Sequence, residues 1–195
     1  MNDGTRTYVM RARADATAQT KKRILESVLA LAQERPIEAL ALADVAADAH
    51  VSVQTVLRHF ATREGLLDAA TAHGVETVER ERVPPPGDVR GALDVLFDHY
   101  EMRGDGVLTL LAQERFDARA RAITDRGRQI HRDWVIEVFG ARLAGRPAGE
   151  RDELLDLLVV ATDVYSWKLL RRDRNLARPD AQRRILRMID ALLER

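Results

Sequence analysis

Apolar residues recur along almost the whole chain with the 3.6-residue spacing of amphipathic helices, and no stretch keeps the alternation of a half-buried strand. The pattern predicts an all-α protein of about nine helices. The first, over 18–34, places Ile24, Val28, Leu31 and Ala32 on one face, and Pro36 stops it. Two short helices follow at 42–49 and 53–59, then a longer one at 63–81. Further helices are expected at 88–103, 107–116, 118–144, 150–173 and 179–194, with Gly104 and Gly106 breaking the first pair. Gly145, Pro147 and Gly149 precede the 150–173 helix, Asn175 suits a left-handed C-cap, and Pro179 suits a helix start. Pro84-Pro85-Pro86 with Gly87 is a break that no helix crosses. The chain accordingly divides into a flexible basic arm over 1–19, a first helical domain over 20–70 and a second over 71–195, the fourth helix packing on both sides of the divide.

Residues 44–67 carry the chemistry. Val45, Ala46, Ala49, Val51, Val56 and Phe60 fit two helices packed across a tight turn. His50 occupies the turn where a left-handed backbone is needed, and His tolerates that conformation better than most residues. Ser52 and Thr62 are placed as N-caps, with Glu64 in the first turn of the following helix. Ser52, Gln54, Thr55, Arg58 and His59 are left facing outward on a helix of the size that enters a DNA major groove. Ser52, Val53, Gln54 and Thr55 at its leading end are the candidates for base readout. Gln54 can pair with adenine N6 and N7, and the methyls of Val53 and Thr55 suit a thymine methyl. Arg58, His59, Arg63 and Lys21 are the candidate phosphate contacts. Thr55 reads alternatively as a local helix hydroxyl, and His59 equally as a partly buried packing residue.

Global charge is uninformative, because 31 basic and 31 acidic residues balance. Local charge is not: Arg6, Arg11, Arg13, Lys21, Lys22 and Arg23 crowd the first 25 residues against Asp3 and Asp15. The absence of cysteine excludes disulfides, thiol nucleophiles and thiolate metal sites. Neither a membrane-length apolar run nor a secretory leader is present, so a cytoplasmic protein without membrane attachment is expected.

The stretch VSVQTVLRHFATREGLL, preceded by ADVAADAHV, resembles the TetR family of bacterial transcriptional regulators. The matching features are Thr55, the Arg58-His59-Phe60 triplet and the Thr62-Arg63-Glu64 step. Two positions depart from the family pattern: Leu57 stands where many members have a phosphate-contacting Tyr, and Ala41 where a Thr often caps the first motif helix. The resemblance implies an N-terminal three-helix DNA-binding domain and a C-terminal helical domain for ligand binding and dimerisation. A small-molecule effector among the C-terminal helices would alter the spacing of two reading heads.

One such motif covers few base pairs, which favours a homodimer on palindromic double-stranded DNA. Residues 154–170 are apolar around most of their circumference, and Ile185, Met188, Ile189, Leu192 and Leu193 form a stripe on the last helix. Leu158, Tyr165, Ile185, Ile189 and Leu192 are the candidate dimer contacts. Phe97, Tyr100, Leu111, Phe116, His131, Trp134 and Asp163 are candidate lining of an effector pocket. Arg171, Arg172 and Arg174 with Asp173 read as a solvated helix end. The expected function is a ligand-released repressor, the alternative being a DNA-bound adaptor whose helical domain binds another protein. No catalytic constellation, cofactor motif or metal-ligand spacing is recognisable, so no enzyme activity, cofactor or metal is expected.

Overall fold

The computed structural model describes residues 3–194, and among these the side chains other than those of 3–10 and 12. Every regular element among the described residues is helical: α1 (Asp3–Glu34), α2 (Leu42–Asp48), α3 (Val53–Phe60), α4 (Arg63–Glu81), α5 (Val89–Gln113), α6 (Ala118–Leu143), α7 (Ala148–Thr162), α8 (Val164–Lys168) and α9 (Arg178–Leu193). A single 3₁₀ turn, Ile37–Ala39, joins α1 to α2, and a π turn, Leu169–Asp173, extends α8. The chain forms two compact units, Met1–Gly74 and Val75–Arg195. No helix among the described residues is long and apolar enough to cross a membrane.

Three elements differ from the sequence expectation. First, α1 begins at Asp3, where an arm over 1–19 was expected; the side chain of Arg6 lies outside the described residues. The Ala- and Arg-rich run favours helix, and the hydroxyls of Thr17 and Thr20 bond back to the carbonyls of Arg13 and Ala16, four residues earlier. Second, α5 runs unbroken through Gly104 and Gly106, both buried. Gly104 serves close packing rather than a turn, because the Trp167 ring occupies the space a side chain there would need. Third, the helix expected over 150–173 breaks at Asp163, whose carboxylate caps α8 by accepting from the Tyr165 N–H at 2.8 Å. Among the described residues the positive-φ positions other than glycine are His50 (53°), Ala61 (61°) and Asn175 (50°), so His50 and Asn175 adopt the expected left-handed turns.

In the first unit, Ile24, Leu25, Val28 and Leu31 of α1 are buried with Val45, Ala46, Val56, Phe60, Leu66 and Leu67. Ser27 Oγ donates to the Val45 carbonyl at 3.3 Å inside this core and so ties α1 to α2. In the second unit, Leu96, Phe97, Val135, Phe139, Leu158, Trp167, Ile185 and Ile189 are fully or almost fully enclosed. The helix end at Arg171 and Arg172 is not merely solvated. Arg171 pairs with Glu101, and Arg172 meets Asp105 at 3.0 Å, fastening the π turn to α5.

Candidate nucleic-acid interface

An eight-residue helix is marginal in isolation, so α3 depends on its anchors. Val56 and Phe60 are buried against α1 and α2, and Lys21 Nζ lies 5.9 Å from the Phe60 ring centroid. At its entrance, His50 N–H bonds to Ala47 and Val51 N–H to Ala46, closing the turn from α2. Ser52 Oγ accepts from Thr55 N–H at 3.1 Å, the predicted N-cap. At its exit, Gly65 N–H donates to Thr62 Oγ1 at 2.9 Å, and a Cβ on Gly65 would collide with the Phe60 carbonyl oxygen. Glycine is therefore required for the sharp passage from α3 into α4, a need the sequence pattern did not reveal.

The outward face of α3 consists of Val53, Gln54, Leu57 and Arg58, with Ser52 just ahead of it. Thr55 and His59 lie at its margins, partly buried. The Ser52 and Thr55 hydroxyls are 3.0 Å apart and bond to each other, which makes Thr55 partly a capping residue. His59 packs at a tilt beside Phe60, with ring centroids 6.1 Å apart. Val53 and Leu57, each 38% exposed, form an apolar pair one turn apart on this face.

Arg63 departs from its expected phosphate role. Its Nε donates to the Leu40 carbonyl at 2.9 Å, and Nη2 to those of Ile37 at 3.0 Å and Glu38 at 3.1 Å. The start of α4 lies against the turn before α2, so the guanidinium satisfies carbonyls that no helix bond reaches. Ala41 offers no side-chain cap to α2; Asp44 turns back to accept from Ala41 N–H at 3.4 Å and pairs with Arg35 at 3.2 Å.

In the second unit the proposed pocket residues separate. Phe97, Tyr100, His131 and Trp134 are buried in one core, Leu111 packs at its edge, and Asp163 caps α8. Phe116 is 86% exposed, because it sits in the turn between α5 and α6. A surface groove of about 440 Å³ lies instead between α6 and α7, walled by Arg132, Ile136, Leu143, Arg151, Asp152 and Leu155. The proposed dimer contacts also divide. Leu158, Ile185 and Ile189 are spent on the unit's own core, and Leu192 packs partly against it. Tyr165 is exposed, and so are Met188, part of the stripe read on the last helix, and Leu157, Val160 and Leu169, which were not among the candidate dimer contacts. The apolar band on 154–170 reflects burial on one side and a second, open apolar row at Leu157 and Val160.

Residues 24–70 match the model described as "Bacterial regulatory proteins, tetR family". The HTH-type transcriptional repressor KstR of Rhodococcus jostii (strain RHA1) is 36% identical over 74 residues, which are 38% of this chain and 35% of that protein. The match thus spans about a third of the relative's length. Among solved structures, a transcriptional regulator from Rhodococcus sp. Rha1 superimposes with a TM-score of 0.65 at 17% identity, covering 89% of this chain and 96% of its own. A tetR-family transcriptional regulator from Streptomyces coelicolor does so with a TM-score of 0.67 at 15% identity, covering 90% and 80%. At such identities the two structures establish the fold, while the matched α1–α4 segment carries the family signature. Residues 24–70 thus resemble the N-terminal module of the tetR family of bacterial regulatory proteins.

Proposed function

We propose that the protein is a homodimeric repressor that recognises a palindromic operator through α3 and is released from it by a small ligand with an apolar body. The carrying observation is the outward face of α3, where Gln54 and Arg58 are exposed on a helix capped at its start by Ser52 and followed directly by the Thr62-capped start of α4. Gln54 is the adenine-reading residue, Val53 and Leu57 meet thymine methyls, and Arg58, His59 and Lys21 bear on phosphates. Leu57 thus replaces a polar contact to the backbone with an apolar contact to a base. The repressor named above, similar over the reading module, supports the regulatory sense. The exposed apolar side chains Leu157, Val160, Tyr165, Leu169 and Met188 support a twofold contact made by α7–α9. Release then follows from the ligand's preference for a dimer whose heads are not one helical turn, about 34–36 Å, apart.

Footprinting of the purified protein on genomic fragments tests the reading. A protected palindrome is expected, with Gln54→Ala relaxing preference at one position per half-site and sparing non-specific binding. Uniform weakening on all sequences would remove Gln54 from readout. An adaptor that binds another protein is the second reading, supported by the dense packing around Phe97, Leu158 and Trp167.

A further inference from the structure

Arg82 follows the last residue of α4 and is only 6% exposed. Its guanidinium carbon lies 5.2 Å from the ring centroid of Trp134, and its Nη2 donates to His131 Nδ1 at 2.7 Å. Because an arginine only donates, His131 must hold its proton on Nε2 and be neutral. That N–H reaches Thr162 Oγ1 at 3.2 Å, and the threonine hydroxyl passes on to the Leu158 carbonyl at 2.7 Å. Tyr100 Oη donates to the Thr162 carbonyl at 3.1 Å. His131 is therefore an acceptor without charge and offers the guanidinium no counter-charge; Asp163 acts on it only through space.

The nearby carboxylates are engaged elsewhere. Glu81 receives Arg103 at 2.5 and 2.7 Å and His99 at 3.1 Å. Asp163 caps α8. No carboxylate among the described residues forms an ion pair with Arg82. Two N–H donors in this core also lack any hydrogen-bond partner: Arg82 Nε and Trp134 Nε1. They belong to side chains stacked on one another. Burial without a directly paired carboxylate disfavours the Arg82 charge, and each orphan donor adds to that cost. An anion that brings acceptor oxygens to both donors removes both costs.

We propose that Arg82 and Trp134 bind the carboxylate of an effector whose remaining body is apolar. This rests on the ligand-responsive reading above and names the chemistry of its ligand. One fixed positive charge with neutral histidines beside it matches a monoanion. A phosphate dianion would bring a second charge that nothing here neutralises. Trp134 against the guanidinium and Tyr100 in the same core favour a ligand that is apolar beyond its headgroup.

Octanoate and benzoate, each beside its neutral counterpart (octanol, benzyl alcohol), and inorganic phosphate are titrated into the full chain at pH 7.5. The chain has two tryptophans, so two indole N–H signals are followed by ¹⁵N–¹H spectra and assigned with Trp134→Phe. A saturable downfield shift of the Trp134 signal with a carboxylate, absent with the alcohols and phosphate, is expected. Arg82→Gln and, by calorimetry, Trp134→Phe should each weaken the carboxylate by about tenfold or more. Arg82→Lys, which keeps the charge without Nε, should retain part of the affinity. No shift with either carboxylate up to about 10 mM, equal binding of the alcohols, or undiminished binding by a folded Arg82→Gln variant would overturn the site. Retardation of an operator duplex is read in parallel. Carboxylate binding that leaves DNA held defeats the effector reading and keeps the site; DNA release that ignores Arg82 does the reverse.

Discussion

The ring of Trp167 covers the Cα of Gly104 so closely that a Cβ there would stand 2.5 Å from ring carbon Cζ3. The same indole donates Nε1–H to Glu101 at 3.1 Å, and the Arg172 guanidinium carbon stacks 4.4 Å from its ring centroid. Trp167 is thereby held by α5 on two sides and by the π turn on a third. An alanine at 104 would improve helix propensity by about 1 kcal/mol, but it would displace a fully buried ring.

Gly104→Ala should therefore destabilise the protein, by about 1–3 kcal/mol net of propensity. Gly127→Ala, in the middle of α6 with nothing within 4 Å of the added methyl, should stabilise it by about 0.5–1 kcal/mol. Urea denaturation followed by far-ultraviolet dichroism reads both. Equal shifts in the two variants would mean that the Trp167 contact is yielding rather than fixed.

The two arginines that flank the end of α3 should separate in behaviour. Arg58 is exposed on the outward face, so Arg58→Ala should weaken binding on every duplex and reduce the logarithmic salt slope by about one. Arg63 satisfies three carbonyls of the turn before α2, so Arg63→Ala should lower the stability of the first unit by about 1–3 kcal/mol. Its salt slope, measured where the variant remains folded, should be that of the parent. A slope reduced by Arg63→Ala would return that residue to the phosphate contacts.

Acid sensitivity follows from the buried histidines. Burial first, and the Arg82 charge second, push His131 down to about 3 and His99 down to about 4. Their unfolded values lie near 6.5, so the unfolded chain binds more protons between these limits. The stabilisation is complete above about pH 6.5 and is lost as the pH falls toward 4 and then 3. Groups facing His131 are Arg82, Thr162 and the Val159 carbonyl; those facing His99 are Glu81, Arg82 and Arg103. Below about pH 6 the loss should approach 1.4 kcal/mol per pH unit for each histidine. Urea midpoints at pH 7.5, 6 and 5 measure it. His131→Gln, whose amide accepts from Arg82 and donates to Thr162 without titrating, should flatten the decline.

What the sequence disclosed was set by how local each determinant is. The N-caps Ser52 and Thr62 and the left-handed His50 and Asn175 depend on a few neighbouring residues, and each stood where the pattern required. On α3 helical period placed Gln54 and Arg58 outward correctly, but Thr55 and His59 lie at the margins, and Val53 and Leu57 share the open face instead. Gly104 was misread because a glycine in a turn and a glycine under a tryptophan look identical until α8 is placed beside α5. Arg63 lies within a motif of basic residues, and only the position of the 37–40 turn reveals its carbonyl partners. Arg82 had no pattern at all: an arginine before three prolines is ordinary, and its burial depends on α6 and α7. Periodicity on 154–170 showed an apolar helix but could not divide its core side from its open side.

That division decides how the dimer must be tested. Ile189 and Leu158 are completely buried within the second unit, so a charge at either would unfold the chain and say nothing of association. Val160, 64% exposed, and Leu157, in the same row of α7, allow a clean test. Val160→Asp should change the monomer's stability by no more than about 0.5 kcal/mol, because the new carboxylate remains in water. In a twofold interface the same substitution places two carboxylates at a desolvated contact, and association should fall by several kcal/mol. Sedimentation velocity should then report a monomer with the dichroism spectrum of the parent. Operator affinity should drop far more than binding to a single half-site, because only the dimer engages both. A Val160→Asp, Leu157→Asp double variant that still sediments as a dimer would place the twofold contact on a different surface of the chain.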